Sequence, residues 1–174
     1  MRKIVICLTC GLLVALLTAC GGGQSGNEGV YAAIAPTDGA LVQQADPQRA
    51  IDAIYQSLEG GSAQRVSNDE LNEVFGLAPY MVVDAVAYVS DVDVSGELRD
   101  IAIIRPAPAY EEQAREALNQ YAAARAASFR TFDVLNSYSI ASGAVVFNQG
   151  EHLVMLMLPD NDAARVILDQ YLPG

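Results

Sequence analysis

An α+β fold is predicted for this chain: a mainly antiparallel four-stranded sheet with helices packed on it, in the order α-α-β-β-α-(α)-β-β-α. Three observations predict it. Apolar residues recur at helical spacing in four separate stretches, beginning after Asp46 and ending before Leu172. Runs rich in β-branched residues come in two pairs, at 81–90 with 100–105 and at 144–148 with 153–158. Each pair is joined through turn-forming residues, which favours antiparallel neighbours, and one long helical stretch separates the pairs.

The first helix opens on Asp46, a good N-cap, with Pro47 at the position where a missing N–H costs nothing. Ala50, Ile51, Ile54, Tyr55 and Leu58 form its apolar stripe, and Gly60 is the expected stop. Ser67 and Glu70 make a capping box for a short second helix, with Val66 and Leu71 as the staple and Gly76 as the end. Strands follow at Met81–Ser90 and Asp100–Arg105, and Pro106 and Pro108 stop the second. A long helix starts near Ala109 with Tyr110, Ala114, Ala117, Leu118, Tyr121 and Phe129 in period. Glu111 and Glu112 in its first turn, and Arg125 and Arg130 towards its end, agree with the helix dipole. Phe132–Ser142 is ambiguous, with Leu135 and Tyr138 compatible with a short helix. A hairpin around Gln149-Gly150-Glu151 then leads into Leu153–Leu158, apolar at every position and so expected to be covered on both faces. Asp160 or Asn161 caps a last helix carrying Ala164, Ile167, Leu168 and Tyr171.

The N-terminus predicts export. Arg2 and Lys3 precede an apolar run from Ile4 to Leu17, shorter than the ~20 residues of a membrane span. Leu17-Thr18-Ala19-Cys20 ends it and resembles the lipobox of bacterial lipoproteins, which implies that Cys20 becomes the lipidated first residue. The expected organisation is a signal peptide at 1–19, a lipidated Gly-, Asn- and Gln-containing tether at 20–44, and one globular domain at 45–174. Cys7 and Cys10 fall in the signal, so no thiol is left for a disulfide or a thiolate metal site.

Charge narrows the partners. The chain carries a net charge of −11, and loss of Arg2 and Lys3 takes the mature part to −13, with arginine as its only strong cation. Nucleic acid, which needs a basic stripe, is excluded, and anionic headgroups would repel the domain. Attachment to the membrane would therefore rest on palmitoyl-type acyl chains at Cys20, at ~0.8 kcal/mol per buried CH₂.

Chemistry-bearing residues are few. His152 is the only histidine and reads as an exposed hairpin residue in preference to a general base or ligand. Asp91, Asp93, Ser95, Gly96 and Asp100 match the start of an EF-hand-type calcium loop, but Ala102 stands where a bidentate Glu is required. An acidic turn is the simpler reading. Arg99, Arg105, Arg125 and Arg130 could fork onto a carboxylate or phosphate, or pair with the many acids. Asp69/Glu70 and Glu111/Glu112 sit in first helical turns, and no pair suggests glycoside chemistry. Neither a catalytic constellation nor a cofactor or metal motif emerges.

Phe75-Gly76-Leu77 before the first strand, Asp100-Ile101-Ala102-Ile103-Ile104-Arg105, Arg125 in the long helix, and the Val145–Leu158 hairpin with its terminal helix together resemble domain of unknown function 4358, a family of small bacterial lipoproteins. The likeness spans about Leu71 to Leu172. It implies an exported, membrane-anchored domain and transfers no catalytic residue. The expectation is thus a lipid-anchored, extracytoplasmic, non-enzymatic binding or accessory module that meets an envelope protein or small ligand, with Arg99, Arg105, Asp91 and Asp93 as candidate contacts. The alternatives are a structural or assembly subunit of a membrane complex, and a carboxylate-based cell-wall hydrolase needing two acids to converge among Asp84, Asp91, Asp93 and Asp100.

Overall fold

The computed structural model describes residues 44–58, 63–91 and 97–174. The expected signal peptide, the tether up to residue 43, Gly60, Asp93, Ser95 and Gly96 lie outside them. The elements are α1 (Pro47–Ser57), β1 (Ala63–Val66), α2 (Leu71–Phe75), β2 (Val82–Ser90), β3 (Asp100–Pro106), α3 (Glu111–Phe129), α4 (Ser137–Ser142), β4 (Val145–Gln149), β5 (His152–Met157) and α5 (Asn161–Tyr171).

The α+β class and the antiparallel pairing are as expected, but among the described residues the sheet has five strands rather than four, ordered β1-β2-β3-β5-β4. The missed strand is Ala63-Gln64-Arg65-Val66. Only Val66 in it is buried, so it shows no apolar alternation. It lies at the edge of the sheet and is held by its register on β2, from Ala63↔Ser90 to Val66↔Ala87. Pairing supplies here what propensity does not.

Local signals account for the helix starts. The Asp46 carboxylate accepts the Arg49 N–H at 3.0 Å, and the Asp160 carboxylate accepts the Ala163 N–H at 2.9 Å. The capping box closes from one side: the Glu70 carboxylate accepts the Ser67 N–H at 2.9 Å and the Ser67 hydroxyl at 2.7 Å. The hydroxyl bond first, then the backbone one, holds the Glu70 carboxyl below its ordinary range. Gly76 ends α2 in the left-handed conformation, at φ +73°. In the β4–β5 hairpin Gly150 has φ +57°, and a Cβ there would stand 2.6 Å from the Pro173 carbonyl oxygen. The ambiguous 132–142 stretch contains α4, but Leu135 stays outside it, exposed and at φ +49°.

Helices cover both faces of the sheet. On one face Ala50, Ile51 and Ile54 of α1 and Ala164 and Leu168 of α5 pack against Val86, Ile101, Ile103, Val154 and Leu156. On the other, Leu71 and Phe75 of α2 and Ala114 and Leu118 of α3 pack against Ala87, Ala102, Ile104, Leu153 and Met155. β5 is buried at all six positions, at Leu153–Met157 as its unbroken apolar run predicts and at His152 against expectation, because β3 and β4 flank it and helices cover both faces. A fully buried Ile or Leu contributes about 1.5–3 kcal/mol, so these two interiors supply most of the driving force. Even positions of β3, beginning with Asp100, point towards α3. That alternation sets the site.

Candidate functional site

Asp100 is the first residue of β3, on the α3 face of a strand that continues as Ile101-Ala102-Ile103-Ile104, and it is wholly buried. Burying a carboxylate there is tolerable only with full hydrogen bonding and a counter-charge. Both are present. Its Oδ1 accepts the Ser90 N–H and the Ser90 hydroxyl, each at 2.8 Å. Its Oδ2 accepts the Tyr121 hydroxyl at 2.7 Å and the Arg125 Nε–H at 3.2 Å. Arg125 also donates from Nη2 to the Ser90 carbonyl at 2.6 Å, and its guanidinium lies over the Phe129 ring, 5.2 Å from the centroid. Tyr121 and Arg125 are four residues apart on α3 and so share one face. Ser90 closes the network by accepting the Arg99 N–H at 2.8 Å.

Burial, and then the Asp100 charge beside it, pushes the Tyr121 hydroxyl well above the ordinary tyrosine range. Tyr55, which donates to the Arg99 carbonyl at 2.6 Å from the other side of the sheet, is raised by the same two causes in the same order. These phenols are donors and not bases.

Over this cluster lies a cleft of about 380 Å³, lined by Gln64 of β1, Val74 of α2, Val89 and Asp91, and Tyr121, Arg125 and Phe129 of α3. The floor is polar and Val74, Val89 and Phe129 make apolar walls. The edge strand that sequence reasoning missed thus contributes a wall of the cleft.

The sequence-derived candidates fall apart in space. Asp100 cannot serve the calcium loop it was matched to, because protein donors already occupy both its oxygens. Asp91 is exposed at the cleft rim, and Asp93 lies outside the described residues. Among the described residues, no group of three His, Cys, Asp or Glu side chains could hold a metal ion. The Arg99 guanidinium is buried and bonded to Glu97 at 2.7 Å. Arg105 is half-exposed at the far end of β3, 3.6 Å from Glu151. Six residues at ~3.3 Å each put the two about 20 Å apart along the strand, so they form no common cationic patch. Asp84 is exposed and pairs in register with Arg105, at the opposite end of β3 from Asp100. Sequence reasoning named Asp100 and Arg125 in other roles and missed Ser90 and Tyr121. A lone acid opening an apolar strand, and a Tyr and Arg four apart on the helix that covers it, were the available signal.

His152 departs from expectation, since it is buried at the base of the hairpin. Burial first, opposed by Glu151, helped by Arg105 and opposed by Asp84, holds its imidazole below the ordinary value of about 6.5. The unfolded chain therefore binds a proton more readily than the folded one. Stability should fall as pH drops below about 6.5 and keep falling until the folded-state imidazole is itself protonated. Chemical denaturation between pH 7.5 and 5.5 should show this slope in the wild type and a flatter one in His152→Gln. Equal slopes would exclude the residue as its source.

The family model described as domain of unknown function, DUF4358, matches residues 56–158, from the last turn of α1 to the end of β5. It contains every residue of the Asp100 network and cleft, begins earlier than the resemblance read from the sequence, and leaves α5 outside. No curated protein and no solved structure matches the chain. With more than half of its length matched, and with the strand, helix and hairpin of the resemblance inside the match, the chain belongs to the DUF4358 family.

Proposed function

We propose that this protein is a lipid-anchored, extracytoplasmic binding module that holds a small ligand in the cleft above Arg125 and performs no chemistry on it. One observation carries the binding reading: the Arg125 guanidinium lines the cleft floor, and the Ser90 and Tyr121 hydroxyls beside it donate to Asp100 instead of standing free as nucleophile or base. The Ser90 hydroxyl donates to Asp100 and accepts from the Arg99 N–H, Tyr121 is held protonated, and Asp100 and the Ser90 carbonyl hold the Arg125 guanidinium in place. Such a floor orients a ligand without activating a nucleophile. The anchor rests on Leu17-Thr18-Ala19-Cys20. Among the described residues no helix is long and apolar enough to cross a membrane, and acylation of Cys20 is the attachment this reading invokes. Cys20→Ser in the full chain should abolish fatty-acid labelling and shift the protein out of the membrane fraction. Unchanged labelling and retention would overturn the anchor.

A second reading, a permanent subunit of a membrane assembly, is favoured by the loop between α3 and α4. Phe132 is 75% exposed, Leu135 58% and Val134 48%, within four residues of one another in the chain. Cross-linking from position 132 in cells separates the two readings. A single protein recovered in fixed ratio favours assembly, and a cross-link yield that does not respond to this position favours the binding module.

A further inference from the structure

We infer that the cleft is a carboxylate-binding subsite for a small organic acid, read by the outer edge of the Arg125 guanidinium; this rests on the cleft being a binding site at all. The guanidinium has two hydrogen-bonding edges. Its Nε and Nη2 form one, and that edge is spent on Asp100 and the Ser90 carbonyl. Nη1, which with Nη2 forms the other edge, makes no bond to any described residue. Arg125 lines the cleft with about a quarter of its side chain exposed, while the spent edge points at a wholly buried carboxylate. The open edge is therefore the one presented to the cleft. Two fixed N–H directions at that edge match the two oxygens of a carboxylate.

Position is set in advance. Asp100, Ser90 and the Phe129 ring hold the guanidinium plane, so a ligand does not bear the usual cost of ordering a long side chain. Charge selects the class. Asp100 neutralises Arg125 from beneath and Asp91 stands at the rim. A second carboxylate on the open edge brings one negative charge into this setting, whereas a phosphate brings up to two against the same acids. Size and walls add that the acid carries a compact apolar group: the volume is that of about a dozen waters, and Val74, Val89 and Phe129 line it. The Gln64 amide, on the exposed edge strand, makes no bond to a described residue and offers a further polar contact at the wall.

The test follows the Arg125 Nε–H resonance in ¹H–¹⁵N spectra of the full chain in detergent micelles, titrated separately with benzoate, benzamide and inorganic phosphate. Benzoate should shift it saturably, with benzamide and phosphate each at least tenfold weaker. Arg125→Lys keeps the charge and loses the fork, and should bring benzoate down to the level of benzamide, read on the Gln64 side-chain amide. Val74→Phe narrows the cleft without touching the Asp100 network and should block benzoate while the Arg125 signal of the free protein is retained. Equal affinity for benzoate and benzamide, or tighter phosphate, overturns the carboxylate assignment and leaves the cleft as a binding site. No saturable shift with any of the three overturns the assignment and the cleft reading together.

Discussion

Arg125→Met is expected to destabilise the domain by about 3–5 kcal/mol, because it leaves the Asp100 carboxylate buried with no counter-charge. The reverse change should cost less. In Asp100→Asn the amide oxygen can still accept from Ser90, and Arg125, partly exposed at the cleft, can turn its freed Nε–H towards water. About 2–3 kcal/mol is the expected loss there. Combining the two should cost less than their sum, with a coupling energy of about 1–3 kcal/mol, since the second substitution removes a group the first has already stranded. Denaturant unfolding of the four proteins measures all three quantities. Strict additivity would mean that the pair contributes nothing as a pair, and the network would then be packing decorated with charges.

That asymmetry explains why the cluster is worth building. A buried ion pair is poor evidence of stabilisation by itself, since apolar residues of similar volume often do as well. Here the pair joins three separate elements: Asp100 opens β3, Ser90 ends β2, and Tyr121 and Arg125 lie on α3. Its geometry fixes where α3 sits over the open end of the sheet, and that placement creates the cleft.

Much of the fold was legible in the sequence where local and tertiary preferences agree. Asp46 and Asp160 cap the helices they were expected to cap, Gly76 and Gly150 adopt the positive φ that their positions call for, and the apolar run in β5 marks a strand buried on both faces. The failures share one cause, which is that non-local contacts decided them. Gln64 and Arg65 look like loop residues until β2 is laid beside them. His152 follows a tight turn and looks exposed, yet the hairpin folds it under. Asp100 looks like the end of an acidic turn, and only the arrival of α3 shows that it is the inward anchor of β3. No spacing rule links residues 90, 100, 121 and 125, because their proximity is a property of the sheet order and of the helix that crosses it. Of the site, Asp100 and Arg125 were legible as charged residues of interest, and Ser90, Tyr121 and the grouping of the four were not.

Truncating the two interiors tests the arrangement on which the cleft depends. Ile54→Ala on α1 and Leu118→Ala on α3 each remove a fully buried side chain, and each is expected to cost about 2–5 kcal/mol. The two belong to separate apolar clusters on opposite faces of the sheet and share no packing partner. Their effects should therefore add to within about 0.5 kcal/mol. A sum of that size approaches the 5–15 kcal/mol that an ordinary domain has in total, so the double variant should be largely unfolded at room temperature. Consequences for binding should differ between the single variants. Leu118 lies one turn before Tyr121 and two before Arg125, so its loss loosens the helix that carries the cleft floor. Ile54 lies under the opposite face and reaches the cleft only through the sheet. Under conditions where both single variants remain folded, benzoate should bind Leu118→Ala more weakly than Ile54→Ala by a margin that their similar stabilities cannot explain. Equal weakening would show that the cleft follows global stability alone, and that α3 has no special part in positioning Arg125.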